Sequence, residues 1–164
     1  KATGPMMVHR LDRETSGLMV VAKTLAAYLD FQNQFLNKTI KKEYIAILNG
    51  IPEYKAPSIK LPLRPDHHQR PRQMVCYSDG KLAETYWSIL EIKGAKARVL
   101  FKPITGRTHQ LRVHSAHHEG LNTPIEGDEL YGLRSDRLKL HAAALTFEDP
   151  ANGKSMEFHL DPDF

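Results

Sequence analysis

The chain has 164 residues, enough for one domain with its own core. Hydrophobic residues make up 41%, which excludes a disordered chain, and no apolar run nears the roughly 20 residues that cross a bilayer. One cysteine, Cys76, excludes an intrachain disulfide framework, and a formal charge of +4 with a pI of about 9.2 suits a polyanionic partner without requiring one.

Residues 1–7 lack the apolar stretch of a signal peptide, and a lone cysteine fits a reducing cytoplasm, so a cytoplasmic location is expected. Residues 18–23 are apolar and β-branched enough for a buried strand. Thr24 can cap a following helix. In that helix Leu25, Tyr28, Leu29, Gln32, Phe35 and Leu36 recur at helical spacing, a face expected to pack on a sheet. Residues 43–48 read as a strand closed by Asn49-Gly50. The stretch 50–72 carries Pro52, Pro57, Pro62, Pro65 and Pro71 and reads as a long surface excursion. Cys76 lies in the strand-like run 73–77 and reads as a small buried hydrophobe.

Residues 83–92 and 96–104 alternate around Lys93-Gly94-Ala95, which predicts a hairpin. Residues 108–119 read as a helix started by Thr108 and closed by Gly120. A second hairpin is predicted from residues 138–147 and 156–160, turning at 150–153. Strands outnumber helices, so the expected fold class is α+β, with a mixed, mainly antiparallel sheet and flanking helices and loops.

Four polar clusters can carry chemistry. In His9-Arg10-Leu11-Asp12-Arg13-Glu14-Thr15-Ser16-Gly17 an acid stands between two arginines, just before a buried strand. The same residues would also make a capped turn with ion pairs of little energetic weight. In Thr105-Gly106-Arg107-Thr108-His109-Gln110-Leu111-Arg112 the start of the predicted helix favours an anion, with Arg107 beside it. Tyr44, after Lys41-Lys42-Glu43, is either a half-buried sheet aromatic or a ring that stacks on a base. Residues 64–72, with Arg64, Arg70, Arg72, His67 and His68, form a basic loop able to meet phosphates or simply to be solvated. His109, His114, His117 and His118 raise the question of zinc. Only His114 and His118 have the spacing of a helical pair, with Glu119 as the one evident third ligand, so no metal is expected.

Four of these segments together resemble the RluA-type pseudouridine synthases. His9-Arg10-Leu11-Asp12 with Thr15-Ser16-Gly17 is similar to their aspartate motif. Lys42-Glu43-Tyr44 is similar to their tyrosine motif, residues 106–114 to their basic motif, and Leu140-His141-Ala142 to the hydrophobic strand that closes the site. Arg70-Pro71, Val75-Cys76-Tyr77, Gly80-Lys81 and Thr85 also resemble this branch. Order and approximate spacing agree from residue 8 to residue 164.

The resemblance implies the pseudouridine synthase fold and an isomerase acting on a stem-loop uridine of ribosomal RNA, transfer RNA or both. Asp12 would be the nucleophile, Arg112 its ion-pair partner, and Tyr44 the base-stacking ring. Arg10, Arg107 and His109 would hold RNA, with Arg70 and Arg72 on the basic loop. Leu11, Ile104 and Leu140 would line the pocket and exclude water. The resemblance implies no cofactor, no metal, no membrane and a monomer. It also implies one catalytic domain over residues 1–164 that lacks the family's earlier strand with its Lys-Pro pair, leaving a sheet edge unfilled. The alternatives are a catalytically silent RNA-binding module and a metal hydrolase built on the histidines. Asp12, Tyr44 and Arg112 occurring together speak against the first.

Overall fold

The computed structural model describes residues 4–164. Residues 1–3, part of the stretch read for a leader, lie outside them. The chain runs β1 (Met6–Met7), β2 (Ser16–Gly17), β3 (Val21–Ala22), α1 (Leu25–Leu36), β4 (Lys41–Leu48), β5 (Ser58–Pro65) and β6 (Gln73–Val75). Then come β7 (Lys81–Lys93), β8 (Lys96–Pro103), α2 (Gln110–Ala116), β9 (Leu140–Glu148) and β10 (Ser155–His159). Seven strands lie in the order β10-β9-β4-β8-β7-β5-β6, every neighbouring pair antiparallel. β2 joins the same sheet through a parallel pairing with β9, and β1 pairs with β3 apart from it. The sheet is therefore mixed and mainly antiparallel, as the alternating hairpins predict.

Both predicted hairpins form. β7 and β8 turn at Gly94, whose φ of 60° is the left-handed geometry that glycine adopts without strain. β9 and β10 turn through residues 149–154, where Asp149 accepts from the amides of Ala151 and Gly153. The main core lies over the centre of the sheet. Ala46, Leu48, Ile59, Val99 and Phe101 from the strands meet Leu111 and Val113 of α2, together with Leu121, Ile125 and Leu138 from the long connection to β9. A smaller core sits under α1, where Phe31 and Ile40 meet Ala22 and Leu145.

Four expectations need correction. The first is the face of α1. Thr24 does cap the helix, accepting from the Ala27 amide at 3.2 Å. Yet Leu25, Leu29 and Leu36 are exposed, while Phe31 and Gln34 are buried. Gln34 wins its place because its amide bonds the β9 backbone at Glu148 in both directions, which hydropathy spacing does not register.

The second is the proline-rich excursion. Residues 58–65 form a full strand with Ile59, Leu61 and Leu63 buried. Pro62 is tolerated because its carbonyl still accepts from Cys76, and the Cys76 carbonyl takes its proton from Gly80 instead. Third, Cys76 is not a core hydrophobe, since its thiol bonds Asp79 at 2.8 Å in the turn after β6. Fourth, of the predicted buried strand over 18–23 only Val21–Ala22 is strand, as β3 paired with β1; residues 18–20 are an irregular link from β2, which pairs with β9.

Candidate active site

The loop from His9 leads into β2, which pairs with the start of β9. It is tied down at both sides of Asp12. His9 Nε2 accepts from the Val20 amide at 3.0 Å, and its ring packs 5.0 Å from Phe35. Burial, aided by the charge of Lys42, pulls His9 down to about 4, so its ring is neutral and free to accept. On the other side the Thr15 amide bonds the Asp12 carbonyl at 3.0 Å, and Ser16-Gly17 pairs with His141-Ala142. Gly17 has φ +109°, and a Cβ there would overlap the Ala142 backbone, so only glycine lets the loop lie this close to β9.

Asp12 opens into a cleft of about 550 Å³. Tyr44 and Leu140 come from neighbouring strands β4 and β9. The register slips between Glu43 and Tyr44, a bulge that re-aims the strand beside the site. Ile104 and Arg107 come from the connection after β8, and Arg10 and Leu11 from the Asp12 loop. Phe35 and Leu36 reach in from the end of α1. Among the described lining residues Asp12 is the sole carboxylate, and it faces Arg10, Lys38, Lys42 and Arg107. Tyr44 is pushed up to about 12, first by burial and then by the negative charge of Asp12. Its phenol therefore stays protonated at neutral pH. Lys42 is held below the ordinary lysine range by burial.

Arg112 is the main correction at the site. Instead of an ion pair with Asp12, its guanidinium forks Asp128, Nε to Oδ2 at 2.8 Å and Nη2 to Oδ1 at 2.7 Å. The pair is buried. Burial works against the Arg112 charge, but the hydrogen bond and charge of Asp128, then the charge of Asp12, hold it above its usual range. Asp12 thus feels Arg112 through space, while among the described residues no ion pair joins them. Arg112 is not among the cleft's lining residues.

His109 also sits behind the cleft. Tyr131 accepts the Gln73 amide proton at 2.6 Å, and its hydroxyl lies 2.8 Å from His109 Nδ1 in a hydrogen bond. Burial lowers His109, with Asp12 acting in the opposite sense. Arg72 stacks on the outer face of Tyr131 and bonds Gln69, bordering a second hollow of about 370 Å³ rather than the Asp12 cleft. Arg70 is exposed on the same loop.

The helix after the basic motif starts later than predicted, at Gln110, with His109 left-handed at φ 53° and no side-chain cap from Thr108. The Arg107 amide, ahead of the helix, is already bonded within the loop. Arg107 N–H donates to Gln110 Oε1 at 2.9 Å, and Thr105 donates to the same oxygen at 2.7 Å. Sequence alone gives Gln110, Lys38, Lys42, Asp128 and Tyr131 no evident site role. Lys42 and Gln110 lie inside the tyrosine and basic motifs. Asp128 and Tyr131 showed only as polar and aromatic residues between Gly127 and Gly132, which read as loop.

The histidine cluster takes a different form from the one considered. His114 is fully buried with neither ring nitrogen partnered. His117, His118 and Glu119 bring their ligand atoms within 4.8 Å at a turn outside the cleft. Within that trio His117 Nδ1 already accepts from the Glu119 amide at 3.2 Å, and Glu119 accepts from Tyr77 at 3.2 Å.

Residues 1–117 match the family described as RNA pseudouridylate synthase. The chain belongs to that family. Curated relatives sharpen the branch. The dual-specificity RNA pseudouridine synthases RluA of Salmonella typhi and of Escherichia coli K12 are each 45% identical to it over 163 residues, covering 96% of this chain and 73% of each relative. The Haemophilus ducreyi RluA is 41% identical over 165 residues, covering 95% and 73%. Among solved structures, human RNA pseudouridylate synthase domain containing 1 superposes with a TM-score of 0.85 at 30% identity, covering 99% of this chain and 71% of that one. Human RNA pseudouridylate synthase domain containing 4 gives 0.78 at 26%, covering 97% and 72%. The α+β sheet described above is thus the fold of an RluA-type pseudouridine synthase, an isomerase that acts on RNA.

Proposed function

We propose that this synthase converts a stem-loop uridine of ribosomal RNA, transfer RNA or both to pseudouridine, with Asp12 as the nucleophile. The observation that carries the proposal is a single carboxylate on the wall of a cleft otherwise ringed by Arg10, Lys38, Lys42 and Arg107. Such a ring attracts an RNA backbone to the acid. The dual specificity named for the RluA relatives fits more than one class of RNA.

In this reading the target uridine leaves its stack and enters the cleft, which is cheapest in a loop. Tyr44 stacks on the base, and its protonated phenol suits stacking and hydrogen-bond donation better than proton removal. The Asp12 carboxylate attacks the sugar or the uracil ring. The bond from C1′ to N1 breaks, the uracil turns, C1′ bonds to C5, and the C–O bond formed to Asp12 breaks, returning the free carboxylate. C5 loses its proton and N1 gains one, so the reaction is an isomerisation with no net change in atoms. Leu11, Ile104 and Leu140 give the base an apolar surround, while Arg10 and Arg107 hold phosphates. Arg70 and Arg72, on the loop beyond Tyr131, extend the basic track. The chemistry draws on no metal and no cofactor. The enzyme acts as a monomer in the cytoplasm.

The test is Asp12→Ala, incubated with ribosomal and transfer RNA stem-loops, with pseudouridine mapped by mass spectrometry. Loss of product with RNA binding retained is expected. Full activity in Asp12→Ala overturns the assignment.

A further inference from the structure

Behind the Asp12 loop lies a run of hydrogen bonds whose members are not cleft-lining residues. His141 Nε2 is 3.0 Å from the Leu160 carbonyl, which can only accept, so Nε2 carries the proton. His141 Nδ1 then accepts the Ser16 hydroxyl at 2.8 Å. The Ser16 oxygen in turn receives Arg137 Nη2 at 3.2 Å, and Arg137 Nη1 pairs with Asp163 at 2.9 Å. Phe164 covers the run, its ring 5.4 Å from the Arg137 guanidinium and edge-on to His141. With a neutral His141 ring, each hydrogen bond of the run has one direction. The run is anchored at both ends by the segment 160–164.

The run also sits where the site's geometry is set. Ser16 lies on β2, four residues after Asp12, and β2 pairs with β9 at His141 and Ala142. Tyr44 pairs with Ala142 from the other side of β9. β9 therefore lies between β2, which continues the nucleophile's loop, and β4, which bears the stacking ring, and the bond from Ser16 to His141 ties the loop to β9. We propose that Ser16, His141 and Arg137, closed by residues 160–164, form a positioning relay that holds the Asp12 carboxylate in register with the base on Tyr44. The relay rests on the assignment of Asp12 as nucleophile. None of its residues touches the substrate. Their effect is on the fraction of bound RNA in which Asp12 is in line to attack, and misplacement by about 1 Å can cost on the order of 100-fold in rate.

Ser16→Ala, His141→Phe and the double variant test this with a stem-loop RNA substrate. Each single variant should lower kcat about 10-fold while KM stays within about twofold, because binding is untouched and alignment is not. The double variant should be no slower than the worse single, since both break one run. Ser16→Thr, which keeps the hydroxyl, should regain most of the lost kcat, and Arg137→Gln should fall in the same direction. If His141→Phe does not fold, Ser16→Ala and Arg137→Gln decide. Unchanged kcat in the folded singles, losses that multiply in the double, or losses confined to KM overturn the relay. Asp12→Ala, assayed alongside, separates the two ideas. An inactive Asp12→Ala with unaffected relay variants sinks the relay alone, whereas an active Asp12→Ala removes the assignment beneath it.

Discussion

Arg112 and Asp128 form a buried two-pronged ion pair whose acid also organises the following turn, Oδ1 accepting from the Leu130 and Tyr131 amides at 3.0 and 3.1 Å. Tyr131 lies against the Arg112 guanidinium, 5.3 Å from ring centre to cation. Removing the acid leaves a buried cation unpaired, which costs about 3–5 kcal/mol in comparable pairs. Asp128→Ala should lose about that much stability in urea denaturation. An effect below about 1 kcal/mol would show that water or Asp12 can take over the guanidinium.

His114 sets an acid limit on stability. Burial pulls it to about 4, with the nearby charge of His117 acting the same way, from an unfolded value of 6.5. Between those values the unfolded chain binds a proton that the folded chain refuses, so the contribution is complete above about 6.5 and is lost as pH falls through the window. The loss at pH 5, relative to pH 8, is roughly 2 kcal/mol for this one ring. His9 shifts in the same direction and adds a smaller amount because it is partly exposed. Denaturation curves at pH 8 and pH 5 should show the drop, and His114→Phe should flatten it. An equal drop in His114→Phe would assign the acid sensitivity to other groups.

Tyr44 has a protonated phenol on the cleft wall, so its ring matters more than its oxygen. Tyr44→Phe should keep activity within about 10-fold, below the roughly 100- to 10,000-fold that a general acid or base supplies. Tyr44→Ala should lose the stacking platform, worth about 1–3 kcal/mol per base, and fall much further. Equal losses in both would mean that the hydroxyl acts in the chemistry.

The strands and hairpins were legible because alternation and turn residues are local signals. β7 and β8 around Gly94 and β9 and β10 around residues 150–153 appear where the pattern places them. The face of α1 was not legible. Gln34 is buried by bonds to Glu148, 114 residues away, and a hydropathy pattern counts glutamine as surface. β5 was hidden because two prolines in a strand look prohibitive until the bond from Gly80 to the Cys76 carbonyl is known. At the site, Asp12, Tyr44, Arg10, Arg107, Leu11, Ile104 and Leu140 come together on one cleft as the family resemblance implies. The partner of Arg112 was missed for the same reason as Gln34. Asp128 is distant in sequence and sits in a loop whose composition carries no signal for burial.

Gln110 ties β7 to the basic loop. Its oxygen accepts from Thr105 and the Arg107 amide, and its nitrogen donates to the Glu84 carbonyl and Thr85. The side chain is buried, so removing it strands several polar groups at about 1–3 kcal/mol each. Gln110→Ala should therefore cost about 3 kcal/mol in denaturation. KM for RNA should rise as the Arg107 loop loses its anchor. A destabilised variant with unchanged KM would separate the loop's order from binding.

Arg107 and Arg10 make their own measurable contribution. Both are exposed on the cleft, and among the described residues the Arg107 side chain makes a single long hydrogen bond, 3.3 Å, to the Leu82 carbonyl. A side chain held that loosely is available to a phosphate. Each phosphate contact releases counterions, so losing one should reduce the slope of log affinity against log salt by about 0.7 to 0.9. Arg107→Ala and Arg10→Ala should each weaken RNA binding and flatten that slope, with kcat little changed at saturating RNA. Binding measured between 50 and 200 mM salt, in the usual range for such titrations, makes the comparison. An unchanged slope with a large fall in kcat would place the arginine at the reacting base rather than on the backbone.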